Sequence, residues 1–240
     1  MRIRARAVIE AGGILRNVSS GPPLTIRRVR HDDAGVCRLC LVGTAAGPMS
    51  GDEVSLELIL TDGARAELVA AGASLAQGRP DGRVATLSTE VGLGAHAELL
   101  AAPAPVIVSA GSAVIINVRL QMAATATVEW RELLVLGRSA ELPGSVELDW
   151  QVERAGNPVL RQRIDLSQPG LVSWPGMLSG QRVLAASFVA GPGVAGRTVV
   201  LDPMAVSQQV DERAVLMTVL ASSAADAEFR LDQLRKLVLQ

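Results

Sequence analysis

Three segments of the chain decide its fold: VSLELILTDGARAELV (54–69), ATLSTEVGLGAHAELL (85–100) and INVRLQMAATATVEWR (116–131). Each segment begins 31 residues after the one before it. Apolar and polar residues alternate within each segment, which is typical of strands with one buried face. Asp62-Gly63 in the first segment and Gly-Leu-Gly (92–94) in the second mark a tight corner between two strands. The sequence therefore predicts a repeated unit of two strands joined by a corner.

A repeat of this length predicts a solenoid. One unit cannot bury its apolar face alone, whereas stacked units bury a continuous core. We therefore predict an all-β fold: a stacked, β-helix-like or solenoid-like body with repeats of about 31 residues, closed by a C-terminal α-helix. The alternative is a meandering β-sandwich in which the spacing is accidental. The apolar sets that a constant spacing places in register are Leu56, Leu87, Val118; Leu60, Val91, Met122; Ala66, Ala97, Val128; and Leu68, Leu99, Trp130.

We expect residues 1–240 to form a single domain, in which 1–165 are the repeated β body and 166–240 a different C-terminal part. The body opens with a strand over 1–10, and its pattern weakens after Trp130. The C-terminal part begins with a segment rich in Gly, Pro and Ser, which predicts irregular structure over 167–205.

The chain ends in a late buried strand, AVLMTVLAS, followed by a helix. Ser222 or Ser223 is placed to cap this helix, and Asp226 and Glu228 suit its first turn. A helical apolar stripe then runs to the C-terminus through Ala224, Ala227, Leu231, Leu234 and Val238.

Composition excludes several classes of function. The net charge is −1, from 23 basic and 24 acidic residues, and only 2% of residues are aromatic, which argues against nucleic acid as a partner. The longest uncharged run, 99–118, is interrupted by Pro103 and Pro105 and breaks into β-type pieces, so we expect no membrane span. The N-terminal stretch MRIRARAVIE has no apolar core of signal-peptide length. We expect a cytoplasmic protein.

Cys37 and Cys40 have the C-x-x-C spacing of redox and zinc sites. Their surroundings, VCRLCLVG, indicate a strand, and residues three apart on a strand point to opposite faces. No second C-x-x-C or H-x-x-H completes a tetrahedral set. We therefore expect two structural cysteines.

Other candidate groups are few. His31 and His96 are the two side chains with a pKa near neutrality, and the repeat predicts His96 as a solvated strand residue in register with Arg65 and Thr127. A constant spacing would also stack Glu67, Glu98 and Glu129 into a carboxylate ladder, which repels itself unless cations intervene. Solvated surface is the simpler interpretation, and no catalytic motif is present.

Residues 40–76, CLVGTAAGPMSGDEVSLELILTDGARAELVAAGASLA, resemble the urease accessory protein D family, UreD or UreH. The resemblance rests on the G-P-x-x-G-D turn at 47–52, on the P-x-P-x-I turn at 103–107, and on the W-R-E…G-R segment at 130–138. Two positions depart from the family pattern: Ser50 replaces a glycine, and Glu141 does not stand where the family often has an acidic residue.

The resemblance implies a non-enzymatic maturation factor of β-helical fold. It implies UreF, UreG through UreF, and urease apoprotein as partners, with a homodimer within the accessory complex left open. It also implies that no cofactor is tightly bound and that nickel passes in transit, with Asp52 and Glu132 matching acidic residues on its path. Carboxylates suit brief contact with a hydrated divalent cation, whereas several His or Cys ligands would retain nickel.

Two further expectations remain open. The alternative function is a β-solenoid carbohydrate-active enzyme or binding module unrelated to urease. The Gly- and Pro-rich region 167–203 is either a partner-binding surface or a loop packed over one end of the solenoid. Its apolar side chains include Leu171, Trp174, Met177, Leu178 and Phe188.

Overall fold

A computed structural model describes residues 1–79 and 81–239. It is mostly β, with a β-solenoid of about four turns and one C-terminal helix, which confirms the predicted fold class. The strands in chain order are β1 (Arg2–Glu10), β2 (Ile14–Ser19), β3 (Leu24–Val29), β4 (Val36–Gly43), β5 (Glu53–Leu60), β6 (Arg65–Ala70), β7 (Ser74–Ala76), β8 (Ala85–Leu93), β9 (Glu98–Ala101), β10 (Val106–Val108), β11 (Ala113–Met122), β12 (Thr127–Leu136), β13 (Ser145–Arg154), β14 (Asn157–Asp165), β15 (Val183–Ala190), β16 (Val199–Asp202), β17 (Ala205–Asp211) and β18 (Ala214–Ala221).

The strands form two large sheets that face each other across the core. Sheet A has the order β14-β13-β11-β8-β5-β1-β2, and sheet B has the order β16-β17-β18-β15-β12-β9-β6-β4-β3. The middle strands of both sheets pair in parallel, as successive turns of a solenoid must, and both ends of each sheet are extended by antiparallel strands. A short third sheet joins β7, β10 and the end of β12. The change to antiparallel pairing explains why the repeat weakens after Trp130.

The predicted register is wrong by two residues in one turn. Val54 pairs with Leu87, 33 residues further along, and Leu87 pairs with Ile116, 29 residues further along. The spacing therefore averages 31 but is not constant. On sheet B, Leu68 pairs with Ala101, which pairs with Trp130, so Leu99 lies two residues away from the predicted row.

Unequal connections cause the shift. Residues 77–84 lead from β7 to β8, whereas the shorter stretch 109–112 leads from β10 to β11. Because side chains alternate with period two along a strand, a two-residue shift keeps every inward residue inward. The sequence therefore predicts correctly which residues are buried, but it is wrong about which residues of successive turns lie side by side.

The space between the sheets holds the main core. Its largest fully buried side chains include Trp130 on β12, Trp150 on β13 and Phe188 on β15. A second apolar cluster lies between the outer face of sheet B and the C-terminal helix. Apolar burial on both faces of the same strands stabilises this half of sheet B most strongly.

The C-terminal helix α1 (Ala224–Val238) forms as predicted. Ser223 is its N-cap, and the Ser223 hydroxyl accepts a hydrogen bond from the Asp226 N–H. Its buried residues are Ala227, Leu231, Leu234 and Val238, whereas Ala224 is only partly buried. No helix within residues 1–79 and 81–239 has the length and hydropathy of a membrane-spanning segment.

The prediction of irregular structure over 167–205 is wrong in part. This stretch contains β16 and the fully buried strand β15, whose alternate residues face the main core and the helix. A strand buried on both faces reads as a continuous apolar run without alternation. The residues of β15, VLAASFVA, have that composition. The glycines near this strand led instead to the prediction of irregular structure.

Candidate functional site

The cysteines are structural, as predicted. Both lie on β4, where Cys37 points into the core and Cys40 is half-buried on the opposite face. Both thiols are free, and burial raises the pKa of the Cys37 thiol. Because they lie on opposite faces of the strand, the two thiols cannot bind the same ion.

The carboxylate ladder that a constant spacing would have produced does not form. The two-residue shift places Leu100 between Glu67 and Glu129, and it brings Arg65 beside Glu98, with Nε 3.2 Å from Oε2. Glu67 instead meets Arg38 and His31, whose Nε2 lies 3.4 Å from Oε2 of Glu67.

His96 is exposed, as expected, but it lies in the turn between β8 and β9 rather than on a strand. Its φ of 55° is in the left-handed region. His31, by contrast, lines a surface pocket together with Glu67 and Arg65.

Glu132 is the most unusual ionisable residue of the core. It lies on β12 on the inward face shared by Trp130 and Leu134, with only 7% of its surface exposed. Burial raises the pKa of Glu132 to about 7, and a hydrogen bond from the Trp130 indole, with Nε1 3.3 Å from Oε1, only partly offsets the burial. No cation of the described residues lies within ion-pairing distance of this carboxylate. Burying a carboxylate without a cationic partner lowers the stability of the fold. An apolar side chain at this position would avoid that cost.

Glu132 lines a cavity of about 140 Å³ inside the solenoid. The cavity spans several turns, from Leu24 on β3 at the N-terminal end, past Leu56 and Thr89 of sheet A, to Glu132 on β12. Its other lining residues are mainly Gly, Ala, Pro, Val and Leu, with the hydroxyls of Ser74 and Ser88, and Glu132 is the one ionisable side chain among them. The arrangement offers a single carboxylate, with a few hydroxyl neighbours, in an otherwise apolar cavity.

Asp52 lies beside this cavity but not among the residues that line it. It is 7% exposed and closes the turn that contains Gly47 and Pro48, which do line the cavity. Its Oδ1 lies 2.7 Å from the main-chain nitrogen of Met1, and its Oδ2 accepts a hydrogen bond from the Met49 N–H at 3.0 Å. Burial would raise the pKa of Asp52, but these two hydrogen bonds outweigh it and hold that pKa below its ordinary value. Asp52 therefore shapes the cavity wall.

Glu141 has a structural partner. Arg138 binds it through both Nε and Nη2, at 2.9 and 2.8 Å, and these bonds lower the pKa of Glu141 to about 2. The Arg182 guanidinium fixes the same loop by donating to the carbonyls of Leu136, Arg138 and Glu141. These bonds leave the Glu141 carboxylate engaged in holding the loop.

Of the two alternatives left open for 167–203, the structure favours the packed loop. Phe188 and Leu178 are buried, and Leu171 and Met177 pack against the core, so the loop closes one end of the solenoid. Trp174 and Val200 are exceptions, with 56% and 68% of their surfaces exposed.

The described residues contain no cluster of three or more His, Cys, Asp or Glu side chains that could hold a metal ion. A lone carboxylate with hydroxyl neighbours provides hard oxygen ligands but too few of them to retain nickel. The alternation of residues on β12 already predicts that Glu132 lies on the inward face. The cavity itself could not be predicted, because it depends on side chains from several turns.

Comparison with known proteins agrees with this geometry. The family model described as UreD urease accessory protein matches residues 2–240. Urease accessory protein UreD 1 of Saccharopolyspora erythraea is 36% identical over 192 residues, covering 78% of this chain and 74% of that protein. Urease accessory protein UreD 3 of Streptomyces griseus subsp. griseus is 30% identical over 239 residues, covering 97% and 93%.

The fold and the cavity define the chain as a β-solenoid protein with one carboxylate in its cavity. Within that class, the chain belongs to the UreD family of urease accessory proteins, as its motifs suggested. This membership does not support the alternative of a carbohydrate module unrelated to urease.

Proposed function

We propose that this protein is a non-enzymatic scaffold for urease maturation that lets nickel pass through its internal cavity. The observation that carries the proposal is Glu132, a buried carboxylate without a cationic partner among the described residues, in a cavity lined by residues from successive turns of the solenoid. A charge that is buried without a partner lowers stability. A cation that binds Glu132 while the protein works would explain why a carboxylate occupies this position.

The chemistry of the passage suits transit better than storage. The walls are mainly apolar, with only a few neutral hydroxyls as further oxygen ligands, and one carboxylate attracts a divalent cation at short range. Release then requires breaking only one protein contact, whereas a site of several His or Cys ligands would hold nickel tightly. Nickel is thus the cargo, and no tightly bound cofactor is part of the proposal.

The proposed partners are UreF, UreG through UreF, and urease apoprotein, with action in the cytoplasm. Family membership supports them, and the free thiols of Cys37 and Cys40 suit a reducing compartment. The stacked sheets provide a rigid body on which such partners can assemble without a catalytic pocket.

The test is nickel loading of urease co-expressed with this protein carrying Glu132→Ala and Asp52→Ala. We expect at least a fivefold loss of nickel per urease active site, measured by inductively coupled plasma mass spectrometry, because the passage loses its cation contact. The matched control carries Glu90→Ala and Glu228→Ala, which remove two exposed carboxylates that have no ion pair among the described residues. Each variant is checked for its thermal transition and for co-purification with UreF. Full nickel occupancy in the folded, UreF-bound double variant would overturn the proposed passage.

A further inference from the structure

Three arginines at one end of the solenoid have no carboxylate partner. Arg27, Arg28 and Arg30 are exposed, on or directly after β3, and none lies within 4.0 Å of an acidic oxygen of the described residues. Other strand arginines are paired, for example Arg2 with Glu53 and Arg163 with Glu147 in sheet A. The β3 group is therefore a local concentration of unneutralised positive charge.

Two of the carboxylates close to this group are already engaged, and Asp32, which is exposed, forms no ion pair with any arginine of the described residues. Asp33 binds Arg65 at 2.7 Å, and Glu67 binds Arg38 at 3.1 Å. The guanidinium groups of Arg27, Arg28 and Arg30 therefore remain available to an outside partner.

β3 is also an open edge of sheet B. Its neighbour on one side is β4, and no strand of the described residues pairs with its other side. At the start of that open side, the Leu24 N–H binds the Gly21 carbonyl at 3.0 Å and the Ile26 N–H binds the Ser20 hydroxyl at 3.1 Å. The backbone N–H and C=O groups of alternate residues point to the same side of a strand. Those of Arg28 therefore also face the open side, and no backbone group of the described residues pairs with them there. Half of this edge is thus closed by the preceding turn, and the half that carries the arginines is open.

We propose that this open half, at Arg27 to Arg30, binds an acidic extended segment of another protein as an added strand. Guanidinium groups bind carboxylates with two parallel hydrogen bonds, and an added strand would pair with the outward backbone of Arg28. Val29, 37% exposed between the arginines, provides the apolar contact of such an interface. A second copy of this chain does not fit, because twofold pairing of β3 would bring the unpaired guanidiniums against one another.

The probe is a fluorescein-labelled seven-residue peptide of alternating Glu and Val, measured by fluorescence polarisation with the full chain. We expect it to bind at least tenfold tighter than the peptide of alternating Lys and Val. The variant Arg27→Gln, Arg28→Gln, Arg30→Gln should lose at least tenfold in affinity. The matched control neutralises three exposed arginines elsewhere that likewise have no carboxylate within 4.0 Å among the described residues, and it should change affinity less than twofold: Arg119→Gln, Arg197→Gln, Arg213→Gln.

Strand addition is separated from simple charge attraction by two measurements. Peptide binding should slow hydrogen exchange of the Arg28 amide, and a peptide N-methylated at alternate residues should bind at least fivefold more weakly. Equal binding of the N-methylated peptide, or equally tight binding of a twelve-nucleotide oligothymidylate, would contradict the proposal. So would a wild-type dimer in sedimentation velocity that the triple variant dissociates, because that would assign the edge to a second copy.

Discussion

At the scale of single residues, Glu132 is where the account rests. It occupies an inward position on β12 between Trp130 and Leu134, where neighbouring strands place apolar side chains. Burial favours its neutral form and raises its pKa to about 7. The pKa of an unperturbed glutamate is near 4.3, so the folded state binds this proton more tightly than the unfolded state does.

This shift predicts a pH dependence of stability. Because the folded-state pKa is raised, Glu132 lowers the free energy of unfolding as pH rises from about 4.5 to above 7. Glu132→Gln removes this loss, so the variant should gain on the order of 3 kcal/mol relative to wild type at pH 8 compared with pH 4.5. Urea denaturation of both proteins at the two pH values measures it. The same difference in stability between the two proteins at both pH values would contradict the buried, unpartnered state of this carboxylate.

The residue scale also shows what the sequence can and cannot reveal. The alternation Val128, Trp130, Glu132, Leu134 already places Glu132 on the inward face. Asp52 is different, because its motif suggests a cation path whereas the structure gives it hydrogen bonds from Met1 and Met49 beside the cavity. A side chain in a turn has no periodicity from which its direction could be inferred.

At the scale of elements, the corners of the solenoid set how closely successive turns stack. Gly94 lies at the corner after β8, against Asp62 of the preceding turn. A Cβ added there would lie 2.7 Å from the Asp62 main-chain nitrogen and even closer to its side chain. The Gly94 N–H donates to the Leu60 carbonyl at 2.8 Å, which holds the two corners together.

Gly94→Ala should therefore destabilise the protein by about 1–3 kcal/mol, as overpacking does, because a backbone neighbour must move. Its control is Gly92→Ala two residues earlier, where an added Cβ meets no atom within 4 Å and the effect should stay within about 1 kcal/mol. Chemical denaturation of the two variants gives the comparison. Equal stabilities would show that the turns do not stack in the register described.

Element types were more predictable than their register. Strands, corners and the capped helix follow from alternation, glycines and Ser223, which are local signals. The offset between Leu68, Ala101 and Trp130 depends on the lengths of connections far along the chain, and no local signal reports it. β15 was missed because a strand buried on both faces has no polar residues to mark its period.

At the scale of the whole molecule, the solenoid combines stacked sheets with a cavity between them, which we propose as the nickel passage. Parallel turns of both sheets surround the cavity, the loop around Leu178 closes one end of the core, and helix α1 covers sheet B. The open edge at β3 adds a separate surface that is available to another protein.

The most direct test of the passage is to plug it. Thr89 and Glu90 are neighbours on β8, but Thr89 lines the cavity and Glu90 is exposed on the outer face of sheet A. Thr89→Trp should fill the cavity, and Glu90→Trp adds the same side chain outside it. The measurement is nickel per urease active site in co-expressing cells, with folding and urease binding confirmed for each variant. The account predicts at least a fivefold loss of nickel for Thr89→Trp and no loss for Glu90→Trp, whereas normal loading by a folded, urease-bound Thr89→Trp protein would contradict it.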